Sequence, residues 1–395
     1  MAVINQVKSF IGQLGITAVS KRLVFSYVVD WLVIMLIAGL GGLFNYVEPY
    51  KRPFSLLDLT ISYPYIHPEL VPVQTVLYVC GFAPAIVIAL VVLLLVPGPR
   101  HCRSLNKAQI VRLKFWEFEK GWAGFCLGLA ISFFITQSMK NIFGKPRPNL
   151  LARCQPDLTN IAAHQVGGYG EDISARWTLV DASICTTTNK RVLTDGFRSF
   201  PSGHSSFSWA AMFYLSLFLC SKFAITIPFL KNNTTNEVAG LRSNESNHLL
   251  APENNTRPST DNSQQKLTET HHLSKTSIRE TAPMRNQAAA PPNHLIILAV
   301  FPVGIAVWIC STRYAEYYHF GFDIISGSLI GIVSAWFSFR WYHLPIRNGQ
   351  GWAWGARNKH RAFGIGVGTA NYGDEGVEWP RKRNDDIEMK AMNEV

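Results

Sequence analysis

The chain has 395 residues, of which 48% are hydrophobic and 16% charged, and its formal net charge is +11. The mean hydropathy of +0.10 is low for a multispanning protein, because polar residues at 231–293 and 345–395 dilute several long apolar segments. No nucleic-acid-binding module is visible, so the positive charge indicates membrane topology and contact with anionic lipid.

Six apolar segments have about the ~20 residues needed to cross a bilayer. They lie near residues 23–44, 75–97, 121–139, 206–229, 294–311 and 322–342. The predicted fold class is all-α, a six-span transmembrane helical bundle. Asp30 lies near the start of the first segment. A charge at membrane depth costs roughly 2.5–3.5 kcal/mol, so we expect Asp30 to have a structural role facing other helices.

Basic residues set the predicted orientation. They cluster in the N-terminal stretch and in the 98–120 connection, at Lys8, Lys21, Arg22, Arg100, Arg103, Lys107, Arg112, Lys114 and Lys120. By the positive-inside rule both regions face the cytosol. Alternating six spans then places the loops 45–74, 140–205 and 312–321 on the lumenal or extracellular face. The first span is expected to be an uncleaved anchor in a vacuolar, Golgi, endoplasmic reticulum or plasma membrane.

Five regions follow from this topology. A cytosolic N-terminus (1–22) precedes spans 1–4 (23–230), a polar insert (231–293), spans 5–6 (294–344) and a cytosolic tail (345–395). The insert is rich in Asn, Ser and Thr and is predicted to be disordered. Its N-x-S/T triplets would suggest a glycosylated lumenal loop, but the topology makes it cytosolic, and such triplets arise by chance in this composition. The triplets begin at Asn232, Asn233, Asn244 and Asn254.

Two of the seven cysteines fall together in a predicted lumenal loop. Cys154 and Cys185 both lie within residues 140–205. An oxidising lumen would allow them to form a disulfide. Two free thiols are the alternative, and the sequence leaves both open.

The first polar motif ends the third apolar segment. Lys140 closes that segment, and Arg147 stands between two prolines, which hold it in a stiff, extended backbone. Taken alone, such a Lys is usually an interface anchor, and Pro-Arg-Pro is a rigid turn. Together, Lys140 and Arg147 would direct two cations at the same oxygens of a phosphoryl group.

The second motif, Pro-Ser-Gly-His at 201–204, has the form of a helix start. Ser202 is a good N-cap, and Gly203 allows close backbone approach. Free N–H groups at such a start bind anions. His204 is then placed to protonate a leaving oxygen as a general acid. A simple helix cap is the alternative when this motif is considered alone.

The third motif combines Arg313, His319 and Asp323. His319 and Asp323 are four residues apart, so on a helix they share one face, and the carboxylate can accept a proton from one ring nitrogen. The other nitrogen is then free to act as a nucleophile. Arg313 would grip phosphoryl oxygens. A structural His–Asp pair is the alternative, but three such motifs at one membrane face favour phosphoryl chemistry.

The K-x6-R-P, P-S-G-H and R-x5-H-x3-D pattern resembles the type-2 phosphatidic acid phosphatase superfamily, the integral-membrane lipid phosphate phosphatases. One difference is Thr312, which stands where that family usually has Ser. Residues 52–56 and 60–65 resemble the first loop of the fungal diacylglycerol pyrophosphate phosphatase branch. The resemblance implies hydrolysis of diacylglycerol pyrophosphate and phosphatidate, and also of lysophosphatidate, drawn from the bilayer.

The resemblance also implies the role of each motif residue. His319 is expected to be the nucleophile that forms a phosphohistidine, Asp323 to orient it, and His204 to act as general acid and base. The phosphoryl group would be held by Lys140, Arg147, Ser202, Gly203 and Arg313. Cations replace a metal in this scheme, so the enzyme is expected to need no cofactor and no Mg²⁺.

Other functions fit parts of the pattern. A sphingoid or isoprenoid phosphate phosphatase of the same superfamily would carry the same motifs. A catalytically silent lipid-binding protein would lack one or more motif residues, and all are present. A transporter would place charges along several spans, and a vanadate-dependent haloperoxidase would be soluble. The oligomeric state stays open.

Overall fold

The structure is a computed structural model that describes residues 20–98, 105–174, 177–227, 290–346, 351–358, 362–363 and 372. The predicted disordered insert, apart from residues 290–293, lies outside the described residues, as do its four N-x-S/T triplets. Most of the predicted tail and of the N-terminal region also lies outside them.

Six long helices form the described bundle. Their bounds are α1 Lys21–Tyr46, α2 Val73–Leu95, α3 Lys107–Phe143, α6 Gly203–Lys222, α7 His294–Ala315 and α8 Gly321–Tyr342. The short elements in the loops include α4 Leu150–Cys154, α5 Lys190–Gly196 and an antiparallel pair of strands, β1 Gln165–Gly167 and β2 Leu179–Val180. The predicted all-α class is confirmed.

Five of these helices, α1, α2, α3, α7 and α8, are long and apolar enough to cross a membrane. Their outer faces expose large apolar side chains, such as those of Met35 on α1 and Ile325 on α8. The sixth, α6, has 20 residues, which gives a length of about 30 Å, but its serines make it less apolar. Six spans therefore stay a prediction.

Three element boundaries differ from the sequence-based expectation. Helix α3 begins at Lys107 instead of near 121, because Asn106 and Gln109 form a reciprocal capping box. Helix α6 ends at Lys222 instead of near 229. Arg313 lies in the last turn of α7 and not in the following loop.

Helix α8 packs closely on α6 through two glycines. A Cβ at Gly327 would lie 2.5 Å from the carbonyl oxygen of Ser202, and one at Gly331 would lie 2.5 Å from that of Ser206. Small residues four apart let helix backbones approach in this way. The Ser202 amide also donates to the carbonyl of Asp323 at 3.0 Å. This packing joins the second and third motifs.

A folded layer of loops covers one end of the bundle. We call it the loop layer; it consists of residues 47–72, 144–174 and 177–202. Its apolar core includes Phe54, Leu150 and Phe197, and the Phe54 and Val180 backbones exchange hydrogen bonds. A disulfide joins Cys154 to Cys185, which decides between the two alternatives left by the sequence.

The opposite end of the bundle is closed by residues 351–358. The Arg357 guanidinium binds both carboxylate oxygens of Asp30, at 2.7 and 3.2 Å. The Trp354 amide donates to the Tyr342 carbonyl at 2.9 Å. Asp30 thus has a structural partner, as expected, but that partner lies in the segment after α8 and not on a neighbouring helix.

Candidate active site

All three motifs meet at the end of the bundle that the loop layer covers, and parts of the first and second motifs belong to that layer. The site lies where α3 and α7 end and where α6 and α8 begin. Each of the eight residues predicted from the sequence lies at this end, in a terminal turn or in an adjoining loop: Lys140, Arg147, Ser202, Gly203, His204, Arg313, His319 and Asp323. The bundle therefore brings together residues that are far apart in the chain.

Lys140 approaches the start of α6 because position 203 has no side chain. A Cβ built on Gly203 would lie 3.0 Å from Lys140 Nζ. Helix α3 ends at Phe143 and is capped by Gly144, whose φ of 52° is left-handed. Lys140 Nζ makes no hydrogen bond within the described residues. A cation beside free helix N–H groups provides an anion-binding site.

Arg147 is held by a carboxylate that the motif does not contain. Its Nη2 donates to Asp195 Oδ1 at 2.7 Å, and Arg153 Nη1 donates to Asp195 Oδ2 at 2.9 Å. Burial lowers the pKa of the Arg147 guanidinium, and the carboxylates of Asp195 and Glu69 oppose this effect. The guanidinium thus stays charged and fixed in direction.

The second motif forms the helix start that the sequence predicts. Ser202 is the N-cap of α6, and its buried hydroxyl accepts from the Ser205 amide at 3.4 Å and from the Ser205 hydroxyl at 3.0 Å. His204 follows in the first turn. Its Nε2 lies 3.1 Å from the carbonyl oxygen of Val71, in the loop layer. That contact orients the imidazole ring.

Arg313 is fully buried and is bound by two carboxylates. Nη1 donates to Glu69 Oε2 at 2.6 Å, and Nη2 donates to Glu316 Oε2 at 2.5 Å. Nε donates to the Thr312 hydroxyl at 3.2 Å. Thr312, which replaces the usual Ser of the third motif, therefore contributes its hydroxyl to the site. The guanidinium is rigidly placed but surrounded by negative charge.

His319 is set up as a neutral base with a defined tautomer. Its Nδ1 lies 2.7 Å from the carbonyl oxygen of Ser199. A carbonyl can only accept, so Nδ1 carries the hydrogen and Nε2 keeps its lone pair. Burial, with help from Arg147 and Lys140, lowers the pKa of His319 well below its usual range. The ring therefore has an unprotonated nitrogen suited to nucleophilic attack.

The direct bond expected from Asp323 to His319 is not made in the structure. Asp323 Oδ2 lies 4.0 Å from His319 Nδ1, because α8 begins only at Gly321 and the two residues do not share a helix face. Asp323 instead accepts from Lys145 Nζ at 2.8 Å, from the Ser199 hydroxyl at 2.5 Å and from the Phe320 amide at 3.2 Å.

Several residues of this site were missed from the sequence. They are Glu69, Lys145, Asp195, Ser199 and Glu316. Lys145 lies inside the first motif, Glu316 lies inside the third, and Ser199 comes two residues before the second. That proximity was the available signal. Glu69 lies far from all motifs in the chain, so only the folding of the loop layer reveals it.

Tyr318 forms the centre of a cluster of arginines. The ring centroid lies 5.4, 5.0 and 5.3 Å from the guanidinium carbons of Arg147, Arg153 and Arg313. Its hydroxyl donates to the Ile66 carbonyl at 2.9 Å. Cation–π contacts of this kind favour a fixed position for each guanidinium. Tyr318 thus connects the loop layer to cations of the first and third motifs.

Comparison with known proteins matches residues 121–347 to the PAP2 superfamily. "Probable diacylglycerol pyrophosphate phosphatase 1" of Schizosaccharomyces pombe is 26% identical over 75% of this chain and 74% of its own length. "Diacylglycerol pyrophosphate phosphatase 1" of Saccharomyces cerevisiae is 31% identical over 47% of this chain and 55% of its own length.

A plant protein, "Lipid phosphate phosphatase 2" of Arabidopsis thaliana, is 21% identical over 82% of this chain and 79% of its own length. No solved structure gives a significant match. The matched family region covers more than half of the chain and contains all three motifs. The protein therefore belongs to the PAP2 superfamily, as the motifs predicted.

Proposed function

We propose that this protein is a membrane lipid phosphate phosphatase that hydrolyses diacylglycerol pyrophosphate and phosphatidate, and lysophosphatidate as well. The observation that carries the proposal is the position of His319, which is buried, holds its hydrogen on Nδ1, and lies near the two cations of the first motif, Lys140 and Arg147. The names of the yeast and plant relatives support the same substrate class.

In the first step, Nε2 of His319 attacks phosphorus and the bond from phosphorus to the leaving oxygen breaks. Lys140, Arg147 and Arg313 stabilise the charge on the phosphoryl oxygens. Protonated His204 gives its proton to the leaving oxygen. The products of this step are the dephosphorylated lipid and a phosphohistidine.

In the second step, water attacks the phosphohistidine on the face that the lipid has left. Neutral His204 takes a proton from that water, and the phosphorus–nitrogen bond breaks. Inorganic phosphate leaves, and His319 is again neutral with the hydrogen on Nδ1. His204 thus acts as acid and then as base, so both histidines return to their starting states.

The charges of the site support a reaction that uses no metal. Within the described residues, each carboxylate of the site is bound to a Lys or Arg, in the pairs Asp323–Lys145, Asp195–Arg147, Glu69–Arg313 and Glu316–Arg313. The cations provide the charge stabilisation that Mg²⁺ provides in other phosphatases.

The disulfide supports the proposal that the active site lies on the lumenal or extracellular face of the membrane. Cys154 and Cys185 lie in the loop layer directly beside the site. Disulfides persist in oxidising compartments and on cell surfaces. The active site is therefore proposed to face the lumen or the cell exterior, where it would act on lipid of that leaflet.

The test is phosphate release from phosphatidate and diacylglycerol pyrophosphate in detergent micelles with excess EDTA. Wild type, His319→Ala and Arg340→Gln are compared; Arg340 lies in the last turn of α8, at the other end of the bundle. Activity that survives EDTA in wild type and Arg340→Gln but disappears in His319→Ala supports the proposal. Loss on chelation, or activity without His319, would contradict it.

A further inference from the structure

One short segment of the loop layer lies directly against the site. We call residues 66–71 the covering segment. The Ile66 carbonyl accepts from the Tyr318 hydroxyl at 2.9 Å, and the Leu70 amide donates to Glu316 Oε1 at 2.7 Å. The Val71 carbonyl lies 3.1 Å from His204 Nε2. Its backbone is thus fixed on both sides of Glu69.

The Glu69 side chain reaches from this fixed backbone into the site. Oε2 accepts from Arg313 Nη1 at 2.6 Å and lies 4.0 Å from Nε2 of His204. The carboxylate therefore lies between a cation that would hold the phosphoryl group and the histidine that would protonate the leaving oxygen. The side chain is 24% exposed, so the ion pair with Arg313 does not enclose the carboxylate completely.

The two substrate types differ in the charge they bring to the site. In an in-line reaction the leaving oxygen lies opposite His319, on the side of His204. When a phosphate monoester reacts, the group that leaves is an uncharged alcohol. When a pyrophosphate reacts, the bond between phosphorus and the bridging oxygen breaks, and the departing group is a second, negatively charged phosphate.

We propose that Glu69 is a specificity-determining residue, whose carboxylate repels an anionic leaving group beside His204 and so favours phosphate monoesters over pyrophosphates. This inference rests on the proposed phosphatase function. The backbone hydrogen bonds on both sides of Glu69 hold its carboxylate near the leaving group when substrate is bound. One unit charge a few ångströms from another in a partly exposed site changes a rate by about tenfold.

The experiment measures the ratio of kcat/KM for diacylglycerol pyrophosphate to that for phosphatidate. Rates are taken in matched micelles at low conversion, before phosphatidate formed from the first substrate contributes. Each ratio is independent of the folded fraction of the preparation. Glu69→Gln removes the charge, Glu69→Asp keeps it, and Glu48→Gln removes an exposed charge of the same loop layer.

We expect Glu69→Gln to raise the ratio about tenfold, while Glu69→Asp and Glu48→Gln stay near wild type. An unchanged or lowered ratio in Glu69→Gln would overturn the inference while leaving the phosphatase function intact. Wild type that cleaves neither lipid would instead refute the proposed function.

A binding measurement covers the case of an inactive variant. Inorganic pyrophosphate and inorganic phosphate each protect a folded protein against heat when they bind it. Glu69→Gln is expected to strengthen binding of pyrophosphate relative to phosphate by a similar factor. Equal strengthening of both anions would mean that Glu69 only competes for Arg313, which contradicts a role in selecting the leaving group.

Discussion

Ser199 donates its hydroxyl hydrogen to Asp323 Oδ2 over 2.5 Å, and both side chains are fully buried. The carbonyl of the same Ser199 orients His319 through Nδ1. Asp323 therefore acts on the proposed nucleophile through Ser199, while Lys145 balances its charge. His319 and Asp323 of the third motif therefore both depend on Ser199, which lies outside that motif.

Removing the Ser199 hydroxyl should make the position of the His319 ring less well defined, while the Ser199 carbonyl that accepts from His319 stays in place. Ser199→Ala keeps the backbone carbonyl, so we expect kcat on phosphatidate to fall about tenfold, the effect of one lost hydrogen bond, with KM nearly unchanged. Ser208→Ala is the control, because that hydroxyl donates to the Ser205 carbonyl within α6. Wild-type kcat in Ser199→Ala would show that Asp323 orients His319 by another route.

Replacing His204 and replacing His319 should have different effects on the phosphohistidine intermediate. With a substrate whose leaving group needs no proton, such as p-nitrophenyl phosphate, His204→Asn should still form the phosphohistidine but hydrolyse it slowly, because no base activates water. Acid-labile, base-stable labelled protein should therefore accumulate in His204→Asn and be absent in His319→Ala. Label in both variants, or in neither, would reject the assigned roles.

The ion pairs of Asp195 with Arg147 and Arg153 should make the free energy of unfolding depend on pH in the acid range. The surrounding protein removes part of the water around the Asp195 side chain, which is 43% exposed, and this opposes ionisation. Arg147, Arg153 and Lys140 nevertheless hold the pKa of Asp195 below its usual value. A carboxyl whose pKa is lowered by folding stabilises above its unfolded pKa of about 3.9, and this stability is lost as pH falls through the folded pKa.

Asp195→Asn should therefore lower the apparent Tm by about 2–4 °C at neutral pH, a modest value because the carboxylate is partly open to solvent. The gap to wild type should close as pH falls below about 4. Thermal unfolding in detergent across pH measures this, with exposed Asp172→Asn as the control. A gap that stays constant with pH would mean that the bridge contributes no pH-dependent stability.

The parts of the site that could be predicted from the sequence are those formed by residues close together in the chain. An N-cap serine before an apolar helix and a lysine closing an apolar segment can be recognised within a few residues. His319 and Asp323 show the limit of such reasoning, because the i, i+4 argument requires one continuous helix and α8 begins between them.

Contacts made by the folded loop layer could not be predicted in the same way. Glu69 meets Arg313 only because the covering segment folds back over the ends of α6 and α7. The partner of Asp30 lies 327 positions further along the chain. Nothing in the local pattern of either residue specifies such a distant partner, whereas the apolar segments alone indicate the helices.

The close approach of α8 to α6 gives the last prediction, since it sets the distance between the second and third motifs. A methyl group at Gly327 would meet the Ser202 carbonyl at 2.5 Å, and backbone atoms cannot rotate away as a flexible side chain can. Gly327→Ala should therefore push the start of α8 away from the N-cap of α6. Overpacking of this kind costs about 1–3 kcal/mol.

We expect Gly327→Ala to lower both the apparent Tm and kcat on phosphatidate, the latter by more than tenfold because His319 and the α6 N-terminus must hold the same phosphoryl group. Gly304→Ala is the matched control: it also adds one methyl group to a long apolar helix, but nothing lies within 4 Å of the new atom. Since Ala is a better helix former than Gly, Gly304→Ala should keep full activity and the same or higher Tm. Equal behaviour of the two variants would show that the contact between α6 and α8 does not position the site.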